Sequence, residues 1–168
     1  YCNVEMNITG RDDVGGLIGY KNGGSHVNNC NYEGTVSGRN YVGGICGTYS
    51  GQYGVSTLSL CTVQGTVTGT GEQIGGFVGR ADYQNTFTNL TINGNELTIT
   101  ATATSDNVGG IIGKVFDMSA SGLTNCVNNG VNVSGRDNIG GIVGYRNSGG
   151  AMSNNSVNAN ISGRNYVG

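Results

Sequence analysis

Cysteine, histidine and carboxylate side chains are the groups here that could do chemistry. Four of the five cysteines, Cys2, Cys30, Cys61 and Cys126, share one recurring position, and Gly34, Gly65 and Gly130 each stand four residues beyond one of them. Cys46 sits in an apolar run instead. With no Cys-x-x-Cys and no histidine at ligand spacing, zinc is not indicated. The expectation is a core ladder of small, reduced thiols; disulfides between neighbouring repeats, Cys2 with Cys30 or Cys30 with Cys61, are the alternative if the Cβ geometry permits. The single His26 has no matched nucleophile and reads as a strand or corner residue.

A glycan-cleaving enzyme needs two converging carboxylates. The segments most able to form such a groove, 48–59 and 80–89, hold only Asp82. Asp12, Asp106 and Asp137 recur at a turn position, and the Gly-Gly-x-Gly-x-Asp calcium pattern is absent. The residues therefore indicate no enzyme, metal or cofactor.

Arg11, Arg39, Arg136 and Arg164 also recur at one corner. Stacked arginines repel unless Asp12, Asp13 or Asp137 offsets them, so they read as exposed corner charges; contact with an acidic glycan, Tyr20 and Tyr145 with Tyr41 and Tyr166 adding sugar-stacking faces, is the functional alternative. Thr98, Thr100, Thr102 and Thr104 alternate as an ice-binding face would. Such a face needs threonines stacked across repeats, where the neighbouring units offer Ser, Asn and Gly.

These residues must be positioned by a repeat. The pattern Val14-Gly15-Gly16-Leu17-Ile18-Gly19 returns from Val42, Ile74, Val108 and Ile139 and begins again at Val167, at spacings of 28, 32, 34, 31 and 28 residues. Such a period marks a solenoid, propeller or array. Thirty-three glycines, no proline and 11% charged residues disfavour helix. Alternating β-branched runs such as Thr35-Val36-Ser37 and Thr66-Val67-Thr68 predict three short strands per unit. A propeller blade needs about 40 residues and four strands. The expectation is all-β: a parallel β-helix, or β-solenoid, of about five coils, read as one array over residues 1–168 with partial units at both ends and as a piece of a longer protein.

Stacking then predicts inward rows: Val14, Val42, Ile74, Val108, Ile139, Val167; Ile18, Cys46, Val78, Ile112, Val143; Ile8, Val36, Val67, Val133, Ile161; and Cys2, Cys30, Cys61, Leu90, Cys126, Ser156. The glycine pair suits a sharp bend using φ > 0 or close backbone approach. If the bend fails to turn the row inward, Leu17, Ile45, Phe77, Ile111 and Ile142 form an exposed apolar association stripe. Net charge is −2 with scattered basic residues, which gives no nucleic-acid surface. No apolar run approaches the roughly 20 residues of a membrane-spanning helix.

The signature, preceded by Ser-Gly-Arg-[Asp/Asn]-[Asn/Tyr] at residues 37–41, 134–138 and 162–166, resembles the GLUG-motif repeats of bacterial surface proteins over nearly the whole chain. The 74–107 unit departs from the pattern. The resemblance implies a β-solenoid stalk in a large exported, adhesin-like protein, located extracellularly or at the cell surface. It maps no catalytic residue onto this chain. The expected function is a non-catalytic structural or adhesive scaffold whose partner is a host or neighbouring-cell surface molecule or glycan. A homopolymeric fibre formed by self-association and a carbohydrate-active β-helix are the alternatives.

Overall fold

The structure, a computed structural model, describes residues 1–117, 122–147 and 149–168. It is all-β, with no helix among the described residues, and its strands stack as a β-solenoid of about five turns. All the strand pairings are parallel.

One complete turn shows the plan. Cys30–Gly38 lies on the first face, Asn40–Gly43 on the second and Cys46–Ser59 on the third. The second face is a six-stranded sheet and the third an eight-stranded one. The first begins as a five-stranded sheet and is carried on by separate three- and two-stranded sheets.

Rows of like side chains stack at about 4.8 Å per turn, the spacing of neighbouring strands. Val42 pairs with Val14 and Ile74, and Val108 with Ile74 and Ile139. Cys46 pairs with Ile18 and Val78. In the third predicted row Val67 is followed by Ile99, which the sequence reading passed over. The cysteine row is corrected at its end. Ser156 pairs with Val127, so Asn155 follows Cys126 and hydrogen-bonds the Cys126 amide through Oδ1 at 2.8 Å.

Two of the three corners are made by left-handed residues. Asp13, Tyr41, Gln73, Asn107, Asn138 and Tyr166, with φ of 53 to 63°, precede the Val/Ile of each signature. Asn29, Leu60, Asn89, Asn125 and Asn154 precede the cysteine position. Asn and Asp tolerate this conformation best, whereas it strains Tyr, Gln and Leu.

The glycine pair makes the remaining corner by close approach rather than by positive φ. A Cβ at Gly43 would lie 2.6 Å from the Phe77 oxygen and 2.7 Å from the Gly79 nitrogen of the next turn, so the second and third faces meet backbone to backbone. The inter-coil ladder continues through this wedge, from Gly44 N to Gly76 O at 3.1 Å and from Ile45 N to Phe77 O at 2.9 Å.

Strand alternation breaks at the wedge, and that decides the association stripe. Ile45, Phe77 and Ile111 are 0% exposed, Ile142 is 7% exposed and Leu17 is half-buried. The row lies in the core and offers no outer stripe. Each such side chain contributes about 1.5–3 kcal/mol by burial. Tyr32 and Tyr49 fill the wider part of the section, their hydroxyls donating to Met6 O at 2.7 Å and Thr57 O at 2.6 Å. Length variation is absorbed on the first face, where a turn at residues 94–96 separates Thr91–Asn93 from Leu97–Ala101, and on the third. Gly51 pairs with Tyr83 and Ser56 with Asn85, so residues 52–55 bulge outward and carry the exposed Tyr53.

Candidate functional site

The cysteines are all free thiols. Cys30, Cys46, Cys61 and Cys126 are buried, while Cys2, a strand partner of Cys30, is exposed. The Cys46 and Cys61 thiols donate to the carbonyls of Thr48 and Ser59 at 3.0 and 3.2 Å. Burial pushes the Cys61 thiol up to about 11 and those of Cys46 and Cys126 upward as well. A thiol held protonated is a poor nucleophile.

The recurring arginines are brought to one corner, where each of the last three reaches back one turn to an aspartate. Arg39 holds Asp12 through Nε–Oδ1 at 3.3 Å and Nη2–Oδ2 at 3.1 Å, and Asn40 adds a bond at 2.8 Å. Arg136 clamps Asp106 in the same way, and Arg164 clamps Asp137 at 3.1 and 2.5 Å. Burial works against ionisation of Asp12, but the Arg39 and Asn40 bonds outweigh it and hold the carboxyl below its ordinary value. At Asp137 the Arg164 bond dominates, with the same direction. Arg11, in the first turn, pairs among the described residues only with its own neighbour Asp12. Three of the four arginines are thus committed to the scaffold.

Tyr20 and Tyr145 belong to another row. The position after the third signature glycine stacks Tyr20, Thr48, Arg80, Lys114 and Tyr145 on the outside of the third face. Because the wedge is thin, side chains of the left-handed corner reach this row from the second face. Thr48 Oγ1 donates to Asp13 Oδ1 at 2.5 Å, and the Arg80 guanidinium lies 5.7 Å from the Tyr41 ring. Arg80 is also 5.6 Å from the Phe116 ring, and Lys114 Nζ is 5.8 Å from Phe116 and 5.1 Å from Tyr145. Asp82 pairs with Arg80 at 2.8 Å, whereas no carboxylate pairs with Lys114 among the described residues.

The result is a strip of two stacked cations among three aromatic rings. Like charges in register repel, and the rings offset part of that cost by cation–π attraction. Chemically the strip could hold an anionic group beside an apolar sugar face. Sequence reasoning named Tyr20, Tyr145 and Tyr41 but missed Arg80, Lys114 and Phe116. The signal for the first two was legible in the alignment of residues one beyond the third glycine.

Two further groups complete the inventory. Lys21, only 7% exposed, places Nζ 2.5 Å from Ser56 Oγ, 3.2 Å from Ser50 O and 4.5 Å from the Tyr49 ring centre, and burial lowers its proton affinity. Ser56 is fully buried, so this lysine–serine contact is closed to a substrate. On the first face an open groove of about 440 Å³ is lined by Asn3, Glu5, Asn31, Glu33, Thr62 and Gln64. Glu5 and Glu33 are strand partners and both exposed. His26 is exposed and pairs through its strand with Thr57, and Asp82 is committed to Arg80.

No protein-family model, curated protein or solved structure matches the chain.

Proposed function

We propose that this chain is a non-catalytic spacer, a rod-forming part of an exported bacterial surface protein of the kind whose GLUG-motif repeats its signature resembles. The observation that carries this reading is the unbroken backbone ladder through the glycine wedge, from Gly16–Gly44 to Gly76–Gly110. Each turn uses its neighbours to satisfy its own amides and to bury its apolar rows, so length grows by adding turns without a new core. The groups with displaced proton affinity serve the same end. Buried thiols, Tyr32 and Tyr49 fill the core, and the clamped aspartates tie turn to turn.

A display role fits the outer strip of Arg80, Lys114, Tyr41, Phe116 and Tyr145. It favours contact with an acidic glycan on a host or neighbouring cell, at a row separate from the clamped arginines. Labelling intact source cells with an antibody to the rod tests the location. The reading expects surface label that external protease removes; label confined to lysed cells contradicts it. Retention of the purified protein on immobilised uronate polysaccharide, lost in an Arg80→Gln, Lys114→Gln double variant, tests the glycan contact.

A further inference from the structure

We infer that the first face carries a second site, a planar array of hydroxyls that binds an ordered water lattice, the surface of ice. Thr98 and Thr100, read along the sequence as lacking stacked partners, have them. Thr98 pairs with Thr66, and Thr66 with Thr35. Thr100 pairs with Thr68, Thr68 with Ser37, and Ser37 with Thr9. Thr102 drops out of the array, because it turns into a local network with Ser105 at 2.8 Å.

The two columns face outward by strand alternation, since Ile8, Val36, Val67 and Ile99 between them form the inward row. The backbone sets the grid, at about 4.8 Å between turns and about 6.6 Å along each strand. A β-branched side chain has a stiff first torsion, so six of the seven hydroxyls sit beside methyl groups in fixed positions. The columns contain no charged residue that would impose its own hydration shell.

A second observation points to an external ligand. Several other surface side chains are spent inside the protein. Thr62 donates to Asn31 at 2.7 Å, Asn31 to Asn3 at 2.9 Å, and Ser59 to Asn28 at 2.7 Å. None of the seven hydroxyls of Thr9, Thr35, Ser37, Thr66, Thr68, Thr98 and Thr100 makes a hydrogen bond to the described residues. Each retains one donor and two acceptor sites. A rigid two-dimensional grid of such groups loses little freedom when it meets a partner. A crystalline lattice of water oxygens at comparable spacings can use the whole grid at once, which a single flexible polymer does not require.

The test is to grow ice in solutions of the purified chain at subzero temperature, recording crystal shape and the gap between melting and freezing. Faceted crystals and a measurable gap are expected. Thr66→Lys should return both to the level of buffer, with an unchanged melting temperature and circular dichroism. Thr66→Val with Thr98→Val, which keep shape and lose hydroxyls, serve as the second variant if lysine disturbs the fold, and should reduce the gap. Tyr53→Ser, on the bulge of the third face, should leave it intact. Round crystals with the parent protein, or a gap that survives the Thr66 and Thr98 changes, would overturn the proposal. Binding to powdered cellulose or chitin without ice shaping would overturn it too, in favour of a solid polysaccharide.

Discussion

Arg39 closes both nitrogens of its fork on a carboxylate 27 residues earlier, that of Asp12, one turn down the solenoid. The same relation joins Arg136 to Asp106 and Arg164 to Asp137. It lapses in the third and fourth turns, where Gly71 and Ser105 stand in place of the arginine and the Glu72 amide donates instead to Asn40 Oδ1. The corner therefore couples turns by charge where the sequence supplies it and by backbone where it does not.

Acid should loosen this corner. Asp12 and Asp137 have folded proton affinities below their unfolded values, so their contribution is present above about pH 4 and fades as pH falls through the depressed folded values. Melting temperature followed from pH 6 to pH 2 should drop at the acid end. The drop should be shallower in Arg39→Ala and Arg164→Ala, which begin less stable at pH 6. Equal slopes in parent and variants would contradict the coupling.

Alkali acts on the core with the opposite sign. Burial raises the Cys61 thiol to about 11, so its contribution is complete below the unfolded value of about 8.5 and is lost as pH rises toward 11. The loss is on the order of 2 kcal/mol for this group, and Cys46 and Tyr49, also raised by burial, deepen it at still higher pH. Urea midpoints measured from pH 7 to pH 11 should fall, and Cys61→Ala should flatten the first part of the fall.

The glycine wedge makes a sharper demand. A Cβ at Gly44 would lie 2.4 Å from the Gly76 oxygen and 2.4 Å from a methyl of Val63, whereas one at Gly149 meets nothing within 4 Å. Gly44→Ala should cost at least the 1–3 kcal/mol of an overpacked core. Gly149→Ala should stay within about 0.5 kcal/mol of the parent. Urea unfolding compares them directly.

Much of this architecture was legible in the sequence, because a solenoid writes its contacts as a repeat. The signature rows from Val14 and Ile18 could be read by alignment, since like positions stack. What alignment could not supply was the handedness of single residues and the thickness of the wedge. Gly15-Gly16 read as a corner using positive φ or close backbone approach; the positive φ falls on Asp13 and its equivalents, and the glycines serve the close approach. The Cys126 row was misjoined to Ser156 because Asn154-Asn155 offers two residues of one type at the corner. The Thr66–Thr98 pairing was hidden by the unequal spacing of the third unit, which displaces Thr98 from its sequence equivalent.

Lys21 was illegible for a different reason: a lysine between Tyr20 and Asn22 reads as surface. It points inward and donates to Gly23 O, Ser50 O and Ser56 Oγ. Lys21→Met should leave these acceptors unpaired at a cost of about 1–3 kcal/mol, seen as a lower melting temperature and faster protease cleavage near residues 22–25.

The central claim is that turns are interchangeable spacing units. Residues 74–107 form one complete turn, bounded by the left-handed corners Gln73 and Asn107, and can be excised to join Gln73 to Val108. Spin labels on the exposed Cys2 and on Asn158→Cys stand five strand steps apart along the solenoid axis, an axial separation of about 24 Å. The account predicts a folded protein in which that separation shortens to about 19 Å, the loss of one step. An unfolded chain, or a folded one with unchanged separation, would contradict it.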